Sequence, residues 1–132
     1  EIAERLAKDK LLRGVYGNID DRTIRNMFPK ITRFKCENVQ VAMTHIAGAP
    51  SSYKPDALET FAQGIPHIFV CGHSHILQIK RDLKRNNMLF LNPGAAGQHG
   101  FHDEQTALRF KIDGSRIFDM ELIQMPRLKI HV

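Results

Sequence analysis

Apolar residues near the start of this chain recur every three or four positions, which is the spacing of one face of a helix. Similar stretches further along are bounded by residues that typically start and stop helices, an Asp or Pro before them and a Pro or Gly behind. The pattern therefore predicts three helices: one over residues 1–9, one that begins at Asp20 or Asp21 and ends at Phe28 before Pro29, and one over residues 55–62 before Gly64.

Shorter runs rich in Val, Ile and Phe, bounded by Gly, Asn, Asp or Pro, predict strands. Helices and strands alternate in the first half of the chain, and strands follow one another in the second half. This order predicts the α/β class, built as a four-layer αββα sandwich of two mixed sheets flanked by helices. The predicted strands cover residues 11–16, 31–36, 39–44, 67–71, 76–82, 87–92, 105–112 and 116–123, with turns at 37–38, 86–87 and 113–114.

The length and composition of the chain indicate the number of domains and the cellular compartment. The 132 residues are 42% hydrophobic, which suffices for one folded core, so we expect residues 1–132 to form a single domain. No apolar stretch reaches the length of a membrane span and the first residues lack a signal-peptide pattern, which favours a cytoplasmic protein. Cys36 and Cys71 lie in or beside apolar runs, where we expect them to pack as small core residues rather than to form a disulfide.

The net charge of +5 reflects basic residues that concentrate at 80–85 and 127–129. No aromatic residues alternate with these side chains to stack on bases, so a solvated hairpin and tail are favoured over a nucleic-acid surface. A moderate positive field can still attract anionic substrates. The basic strand edge is compatible with a homo-oligomer, although nothing in the sequence specifies one.

Three polar motifs each come directly after an apolar run: Gly-Asn-Ile-Asp at 17–20, Thr-His at 44–45 and Gly-His-Ser-His at 72–75. Ligands collect at the carboxyl ends of buried strands, so we expect the three motifs to meet in space. Their amide oxygen and imidazoles suit Mn, Fe or Zn better than Ca or Mg. The side chains that supply these donors are Asn18, His45, His73 and His75.

These motifs, followed by Asn-Pro-Gly at 92–94, resemble the calcineurin-like metallophosphoesterases, in particular their small single-domain phosphodiesterases of bacteria and archaea. The resemblance runs from Glu1 to about Gly114. It implies a dinuclear site with two divalent ions, Mn by preference and Zn, Fe or Ni as alternatives, and a hydroxide that attacks phosphorus in line. It also implies that the substrate is a small phosphate ester.

The resemblance further assigns roles to particular side chains. It implies that Asn18 and His73 act in catalysis as metal ligands. Asp20 would steady the loop that aims Asn18, and Asn92 would belong to a rigid turn under the site. The full set of implied metal ligands is Asn18, His45 and His73 on one ion and His75 on the other.

Two departures from the family pattern bear on function. The Asp-x-His and Gly-Asp motifs with which family members begin are absent, and the chain opens on Glu1. We therefore expect a missing N-terminal piece of roughly thirty residues or more, with natural loss of that piece as the alternative. Many relatives carry a His at the position of Ile19, where it can protonate the leaving group. The chain as given is expected to be weakly active or inactive.

Two classes of function remain open at this point. A metal-dependent phosphoesterase is favoured because all the implied metal ligands downstream of Glu1 are present together. A binding scaffold of the same fold, like the retromer subunit that resembles these enzymes, is favoured by the missing carboxylates and by Ile19. Nucleic-acid binding without catalysis comes third.

Overall fold

Three helices and nine strands occur in residues 2–97 and 104–126, the part of the chain that this computed structural model describes. The predicted basic tail at 127–129 lies outside the described residues. The helices are α1 (Ile2–Asp9), α2 (Arg22–Met27) and α3 (Pro55–Ala62). The strands are β1 (Ile31–Cys36), β2 (Val39–Thr44), β3 (Gly48–Ala49), β4 (Ser52–Tyr53), β5 (Ile68–Val70), β6 (Gln78–Asp82), β7 (Met88–Asn92), β8 (Glu104–Asp113) and β9 (Arg116–Pro126).

Side chains cap α2 and α3 near the ends that the sequence predicts. The Asp21 carboxylate accepts a hydrogen bond from the backbone N–H of Ile24 at 3.2 Å, which makes Asp21 the N-cap of α2. At the carboxyl end of α3, the guanidinium of Arg33 donates to the carbonyls of Thr60 and Gly64, both at 3.0 Å. The carbonyl of Thr60 also accepts from the N–H of Gln63 at 3.3 Å, so Arg33 adds to the C-cap and fastens α3 to β1.

A five-stranded mixed sheet organises the fold, in the order β1-β2-β5-β7-β6. β5 lies in the middle and pairs in parallel with β2 and β7, while β1 and β6 form antiparallel edges. Ile68 and Phe69 point to opposite faces of the sheet and are both 0% exposed. Burial on both faces is typical of parallel strands in α/β proteins, and the predicted fold class is confirmed.

Different elements cover the two faces of this sheet. Phe69 and Phe90 lie on the face that packs against α3 and the segment before it. The opposite face packs against the β8–β9 hairpin, through side chains that include Leu108 and Phe110. In the described residues the second sheet of the sandwich is this antiparallel pair rather than a mixed sheet. The tight turn at 113–114 accounts for the difference, because strands joined by so short a connection pair antiparallel.

The predicted strand at 11–16 does not form. Among the described residues this segment belongs to no ladder, and the N–H of Tyr16 donates to the carbonyl of Pro29 at 3.1 Å. Leu12 and Val15, which helped to suggest a strand, line an open cavity together with α1 and α2. An apolar run indicates that a segment is buried. To form a strand, the segment also needs a neighbouring strand with backbone N–H and C=O groups that are still unpaired.

α1 turns its apolar side to the same cavity, which has a volume of about 530 Å³. The helix has the amphipathic spacing that the sequence predicts, yet Ile2 and Leu6 are 76% and 51% exposed. No residue of Ile2–Asp9 is buried. Because most helical stability in proteins comes from packing of the apolar face, α1 is held weakly by the part of the chain that the structure describes.

Of the two cysteines that the sequence predicts in the core, Cys71 is buried and Cys36 is only half-buried. Cys36 and Cys71 are free thiols, and Cys71 is buried beside the end of β5. Burial raises the pKa of the Cys71 thiol to about 12, so it remains protonated and packs as an apolar group. Within residues 2–97 and 104–126, the helices are too short or too polar to span a bilayer.

A buried carboxylate ties the β6–β7 turn to β4. Asp82 is 4% exposed and accepts hydrogen bonds from the Tyr53 hydroxyl at 2.7 Å and the Arg85 guanidinium at 3.2 Å. The same guanidinium lies over the Tyr53 ring, 4.5 Å from its centroid. Burial raises the pKa of Asp82, but these hydrogen bonds outweigh burial and hold the pKa below its ordinary value. The carboxylate is therefore ionised at neutral pH.

Asp82→Ala is expected to lower the free energy of unfolding by about 3 kcal/mol, because it leaves the guanidinium of Arg85 and the hydroxyl of Tyr53 without their buried partner. Urea unfolding followed by circular dichroism measures the change. Asp119→Asn is the control, since its ion pair with Lys111 is exposed and contributes little, and Asn also tolerates the left-handed backbone at this position (φ 51°). Equal losses of stability in the two variants would contradict this account of Asp82.

Candidate functional site

The three predicted motifs meet at one edge of the five-stranded sheet. His45 follows the last residue of β2, His73 lies shortly after β5, and Asn92 is the last residue of β7. These strands are parallel, so their carboxyl ends lie side by side. The N–H of Gly72 donates to the carbonyl of His45 at 3.0 Å, which joins two of the loops directly.

Asn18, His45 and His73, which we call the donor cluster, lie in mutual contact. Oδ1 of Asn18 is 2.9 Å from Nε2 of His45 and 3.3 Å from Nδ1 of His73. The two imidazole rings meet edge to face, with centroids 5.2 Å apart and 79° between their planes. The side chains that the family resemblance assigns to the first metal ion are thus brought together, and His75 follows in the same loop as His73.

Asp20 closes the turn that carries Asn18. Its carboxylate accepts a hydrogen bond from the N–H of Gly17 at 2.6 Å, and its own N–H donates to the carbonyl of Gly17 at 3.3 Å. Arg25 secures the turn from α2, because its guanidinium donates to the backbone carbonyls of Asp20 at 2.8 Å and of Asn18 at 3.3 Å. The backbone of Asn18 is therefore held from both sides.

Gly17 leaves the space that the His45 ring occupies. A Cβ at position 17 would lie 3.3 Å from both Cε1 and Nε2 of His45, and equally close to the carboxylate of Asp20. Contacts this short require a neighbour to move by a few tenths of an ångström. A side chain at position 17 would therefore push the ring of His45 or the carboxylate of Asp20 from its present place.

The loop at 72–75 has an unusual backbone. His73 and His75 have φ angles of 66° and 61°, in the left-handed region that glycine favours. Residues other than glycine adopt such angles at a cost of about 1–3 kcal/mol each, and they persist only where the surroundings hold them. The loop therefore needs support from outside its own backbone.

Asn92 supplies that support. Its side-chain amide donates to the carbonyl of Gly72 and to the hydroxyl of Ser74, both at 3.0 Å. Its oxygen accepts a hydrogen bond from the N–H of Gly94 at 3.1 Å. Since Asn92 is 3% exposed, these bonds form with little competition from water. Asn92 thus joins the 72–75 loop to the turn that follows β7.

Electrostatics keep the His45 ring neutral. Burial lowers the pKa of His45 below 6.5, and the neighbouring imidazole of His73 lowers it further. Asp20 acts in the opposite direction, and His75 adds a smaller lowering of the same pKa. A neutral imidazole retains the lone pair that a metal ion requires.

The donor cluster has spacings suited to a divalent transition metal ion. Two donors about 2.1 Å from a shared ion lie about 3.0 Å apart at a right angle and about 3.4 Å apart at the tetrahedral angle. The 2.9 Å and 3.3 Å separations from Oδ1 of Asn18 match these values. Residues 2–97 and 104–126, however, hold no group of three His, Cys, Asp or Glu side chains placed to bind a metal. The ligand roles of Asn18, His45, His73 and His75 therefore stay predictions.

A cavity of about 350 Å³ opens beside the donor cluster. The guanidinium of Arg25 lies over the ring of Tyr16, 4.5 Å from its centroid, and forms part of the wall. The ammonium of Lys30 lines the same cavity and pairs with Asp56 at 3.0 Å. Two cations and one carboxylate therefore border a space in which an anionic or polar group can sit next to the donor cluster.

Sequence reasoning did not identify Arg25, Tyr16 or Ser74 as parts of the site. Ser74 carried a usable signal, because a hydroxyl inside a polar loop commonly bonds to nearby backbone, and here it accepts from the N–H of Ile76 at 3.2 Å. Arg25 carried none, since its contacts with the Asn18 turn depend on how α2 packs back on the chain before it.

The family comparison agrees with this arrangement of strand ends. Residues 1–115 match the calcineurin-like phosphoesterase superfamily domain, so the chain belongs to that superfamily. The match includes the motifs at 17–20, 44–45, 72–75 and 92–94. No match was found among curated proteins.

Solved structures of several proteins share the fold. TM1076 of Thermotoga maritima is 25% identical, with a TM-score of 0.68 over 94% of this chain and 73% of its own. Zinc-complexed Vps29 of Entamoeba histolytica is 17% identical, with a TM-score of 0.64 over 90% of this chain and 71% of its own. An archaeal phosphodiesterase is 16% identical, with a TM-score of 0.56 over 84% and 67%. The likeness to the last two establishes the fold alone.

Asn92→Ala is expected to release the 72–75 loop, because it removes the side chain that joins the loop to the turn after β7. A loss of about 1–3 kcal/mol corresponds to amide hydrogen exchange about 5-fold to 150-fold faster, and the amide of Ser74 reports it by NMR. Ser74→Ala removes one of the three contacts and should have a smaller effect on the neighbouring amides. Unchanged exchange in Asn92→Ala would contradict the supporting role.

The His45 ring of the metal-free protein is expected to titrate below pH 6.5, as followed by NMR of its ring protons. The unfolded chain then binds this proton more readily than the folded chain does. The contribution of His45 to the free energy of unfolding is therefore complete above about pH 6.5 and declines as the pH falls below that value. His45→Asn should remove this part of the pH dependence, and a ring midpoint at or above 6.5 would contradict the burial account.

Proposed function

We propose that this chain forms the metal-binding and substrate-binding edge of a phosphoesterase that hydrolyses small phosphate esters, phosphodiesters in particular. One observation carries the proposal: in a member of the calcineurin-like superfamily, an amide oxygen and two imidazoles meet at the carboxyl edge of the sheet. Membership of the superfamily indicates the class of reaction. The donor cluster offers metal-binding oxygen and nitrogen atoms at the sheet edge where proteins of this fold class bind ligands.

The metal ions proposed are two divalent ions, manganese first, with zinc, iron and nickel as alternatives. When bound, such ions activate water as a nucleophile and neutralise charge on the phosphoryl oxygens. Asn18, His45 and His73 would hold one ion, and His75 would contribute to the second. The zinc in the similar Vps29 structure supports zinc as a direct alternative.

The remaining side chains of the site position the donors and the substrate. Asp20 and Arg25 hold the turn of Asn18, and Asn92 holds the 72–75 loop. The cavity bordered by Arg25 and Lys30 would receive the second substituent of a phosphodiester, because it lies next to the donor cluster and carries cations. Substituents with polar or anionic groups are therefore favoured over apolar ones.

Ile19 restricts the choice of leaving group. It follows Asn18 directly, its side chain is 90% exposed, and it has no proton to transfer. A general acid commonly contributes about 100-fold or more to the rate, so esters whose leaving groups depart without protonation should be preferred. Aryl and other acidic alcohols fit this requirement.

A non-catalytic scaffold of the same fold is the second candidate. The structural similarity to Vps29 supports it, as does Ile19 at the position where many relatives carry a proton-donating His. Under this alternative the donor cluster would bind metal without turnover. Metal binding and hydrolysis must therefore be measured separately.

Mn²⁺ is expected to bind the full chain at the donor cluster, and electron paramagnetic resonance of free Mn²⁺ measures this without reference to activity. His73→Ala should weaken both Mn²⁺ binding and hydrolysis of bis(p-nitrophenyl) phosphate by about 100-fold or more, because it removes a ligand. Asp119→Asn, an exposed carboxylate on β9, is the control and should change neither. Binding without hydrolysis, in this chain and in a longer chain that carries the expected N-terminal motifs, would support the scaffold, and unchanged binding in His73→Ala would contradict both candidates.

Ile19→His is expected to accelerate hydrolysis of diesters with alkyl leaving groups by about 100-fold, because it adds a proton donor beside Asn18. The p-nitrophenyl diester should gain little, since its leaving group departs without a proton. Ile19→Gln matches the size without adding an ionisable group and serves as the control. Equal rates in the His and Gln variants would show that the missing acid does not limit the reaction.

A further inference from the structure

A second polar cavity lies at the opposite edge of the five-stranded sheet from the donor cluster. Its volume is about 230 Å³. It forms where the β1–β2, β6–β7 and β8–β9 turns meet the segment that enters β5. The polar residues that line it are Asn38, His67, Arg81, Asn86, Asn87 and Ser115.

Backbone bonds hold these turns together. The N–H of Asn38 donates to the carbonyl of Gly114 at 2.9 Å, which joins the β1–β2 turn to the β8–β9 turn across the two sheets. His67 bridges the neighbouring strands, because its N–H donates to the carbonyl of Gln40 and its carbonyl accepts from the N–H of Leu89, both at 2.9 Å. The cavity is therefore framed by connected backbone.

Turn geometry explains two of the lining residues. Asn86 and Asn87 have φ angles of 55° and 58°, and asparagine is among the residues that adopt this left-handed region most readily. Their side-chain amides nevertheless add hydrogen-bond donors to the wall. His67 and Arg81 have no such explanation, since neither lies at a left-handed position.

The hydrogen bonds of His67 and Arg81 leave donors available. Nδ1 of His67 accepts from the N–H of Gln40 at 2.8 Å, so the neutral ring carries its proton on Nε2. The guanidinium of Arg81 donates through one nitrogen to the carbonyl of Asn87 at 3.1 Å, which holds it against the turn. A guanidinium has five N–H groups, so this bond uses only a part of its capacity.

The charge of the wall has one sign. In the described part of the chain, no Asp or Glu lines this cavity, while Arg81 contributes a permanent positive charge. Glu37 and Asp113, in the adjoining turns, are not part of the lining. Asp82, at the end of β6, is buried and bonded to Tyr53 and Arg85. A cavity bordered by a guanidinium, an imidazole N–H, amides and a hydroxyl offers donors without a carboxylate to compete for them.

We propose that this cavity binds the phosphate group of a small ligand, with Arg81 and His67 as the principal donors. The site is separate from the donor cluster, because β5 and its flanking residues place His67 about 16 Å from Gly72 along the strand direction. It therefore does not depend on the phosphoesterase function. A neighbouring apolar cavity of about 290 Å³ shares Arg81 and Ile117 with it and would accept the organic part of a phosphomonoester.

Inorganic phosphate, titrated into the EDTA-treated full chain at constant ionic strength, tests the proposal by two-dimensional ¹⁵N NMR. The amides of Asn38, His67 and Ser115 should shift saturably, while that of Leu122 on β9, which lines neither this cavity nor the one beside the donor cluster, should not. Arg81→Gln should weaken the apparent affinity about tenfold or more, because it removes a charge-assisted pair of donors. Lys84→Gln, an exposed cation in the β6–β7 turn outside the lining, is the matched control and should leave the affinity unchanged.

Three results would overturn the proposal. They are shifts that do not saturate, equal weakening by Lys84→Gln and Arg81→Gln, and acetate binding as tightly as phosphate. Arg81→Lys gives a second check, because it keeps the charge but loses the planar fork and should bind with intermediate affinity. A parallel titration with phenyl phosphate distinguishes the sources: tighter binding than inorganic phosphate indicates an ester that also fills the apolar cavity, and equal binding indicates free phosphate.

Discussion

The parallel pairing of β5 with β2 and β7 is the constraint on which the rest of the molecule depends. β5 has only three residues, but backbone bonds continue the pairing past its end: the N–H of Cys71 donates to the carbonyl of Leu91, and that of Gly72 to the carbonyl of His45. His45 and His73 are therefore held side by side, just beyond the carboxyl ends of the neighbouring strands β2 and β5. Without this pairing, the motifs would be polar loops that do not lie close together in space.

The loops at that edge are unfavourable structures stabilised by buried polar contacts. Two left-handed histidines in one short loop cost about 1–3 kcal/mol each, and the three hydrogen bonds of the buried Asn92 are of comparable size. Hydrogen bonds of Asp20 and Arg25 likewise stabilise the turn that carries Asn18. The donors are thus oriented before any ligand arrives, as binding and catalysis both require.

The strand ends, most strand positions and the helix caps could be predicted from the sequence, because each depends on a few neighbouring residues. Asp21 as a cap of α2 and the turn at 113–114 belong to this class. The meeting of Asn18 with His45 joins distant residues, and it could be predicted because loops at the carboxyl ends of buried strands lie side by side. The strand predicted at 11–16 was wrong for a different reason. A strand needs a neighbouring strand to pair with, and an apolar run does not show whether one is present. The contacts of Asp82 and Arg25 escaped for the same reason, as they join segments whose approach only the folded chain determines.

The sheet topology also constrains the order in which the chain folds. The hairpin partners of β8 and β9 are close in sequence, so their pairing closes a short loop. Val41 and Ile68 are 27 positions apart, and Ile68 and Leu89 are 21 apart, so the two parallel pairings must close far longer loops. Contacts between distant residues form late in folding. Since His45 and His73 come together only after β2 and β5 have paired, a metal ion would meet Asn18, His45 and His73 together in the nearly native chain, not in an early intermediate.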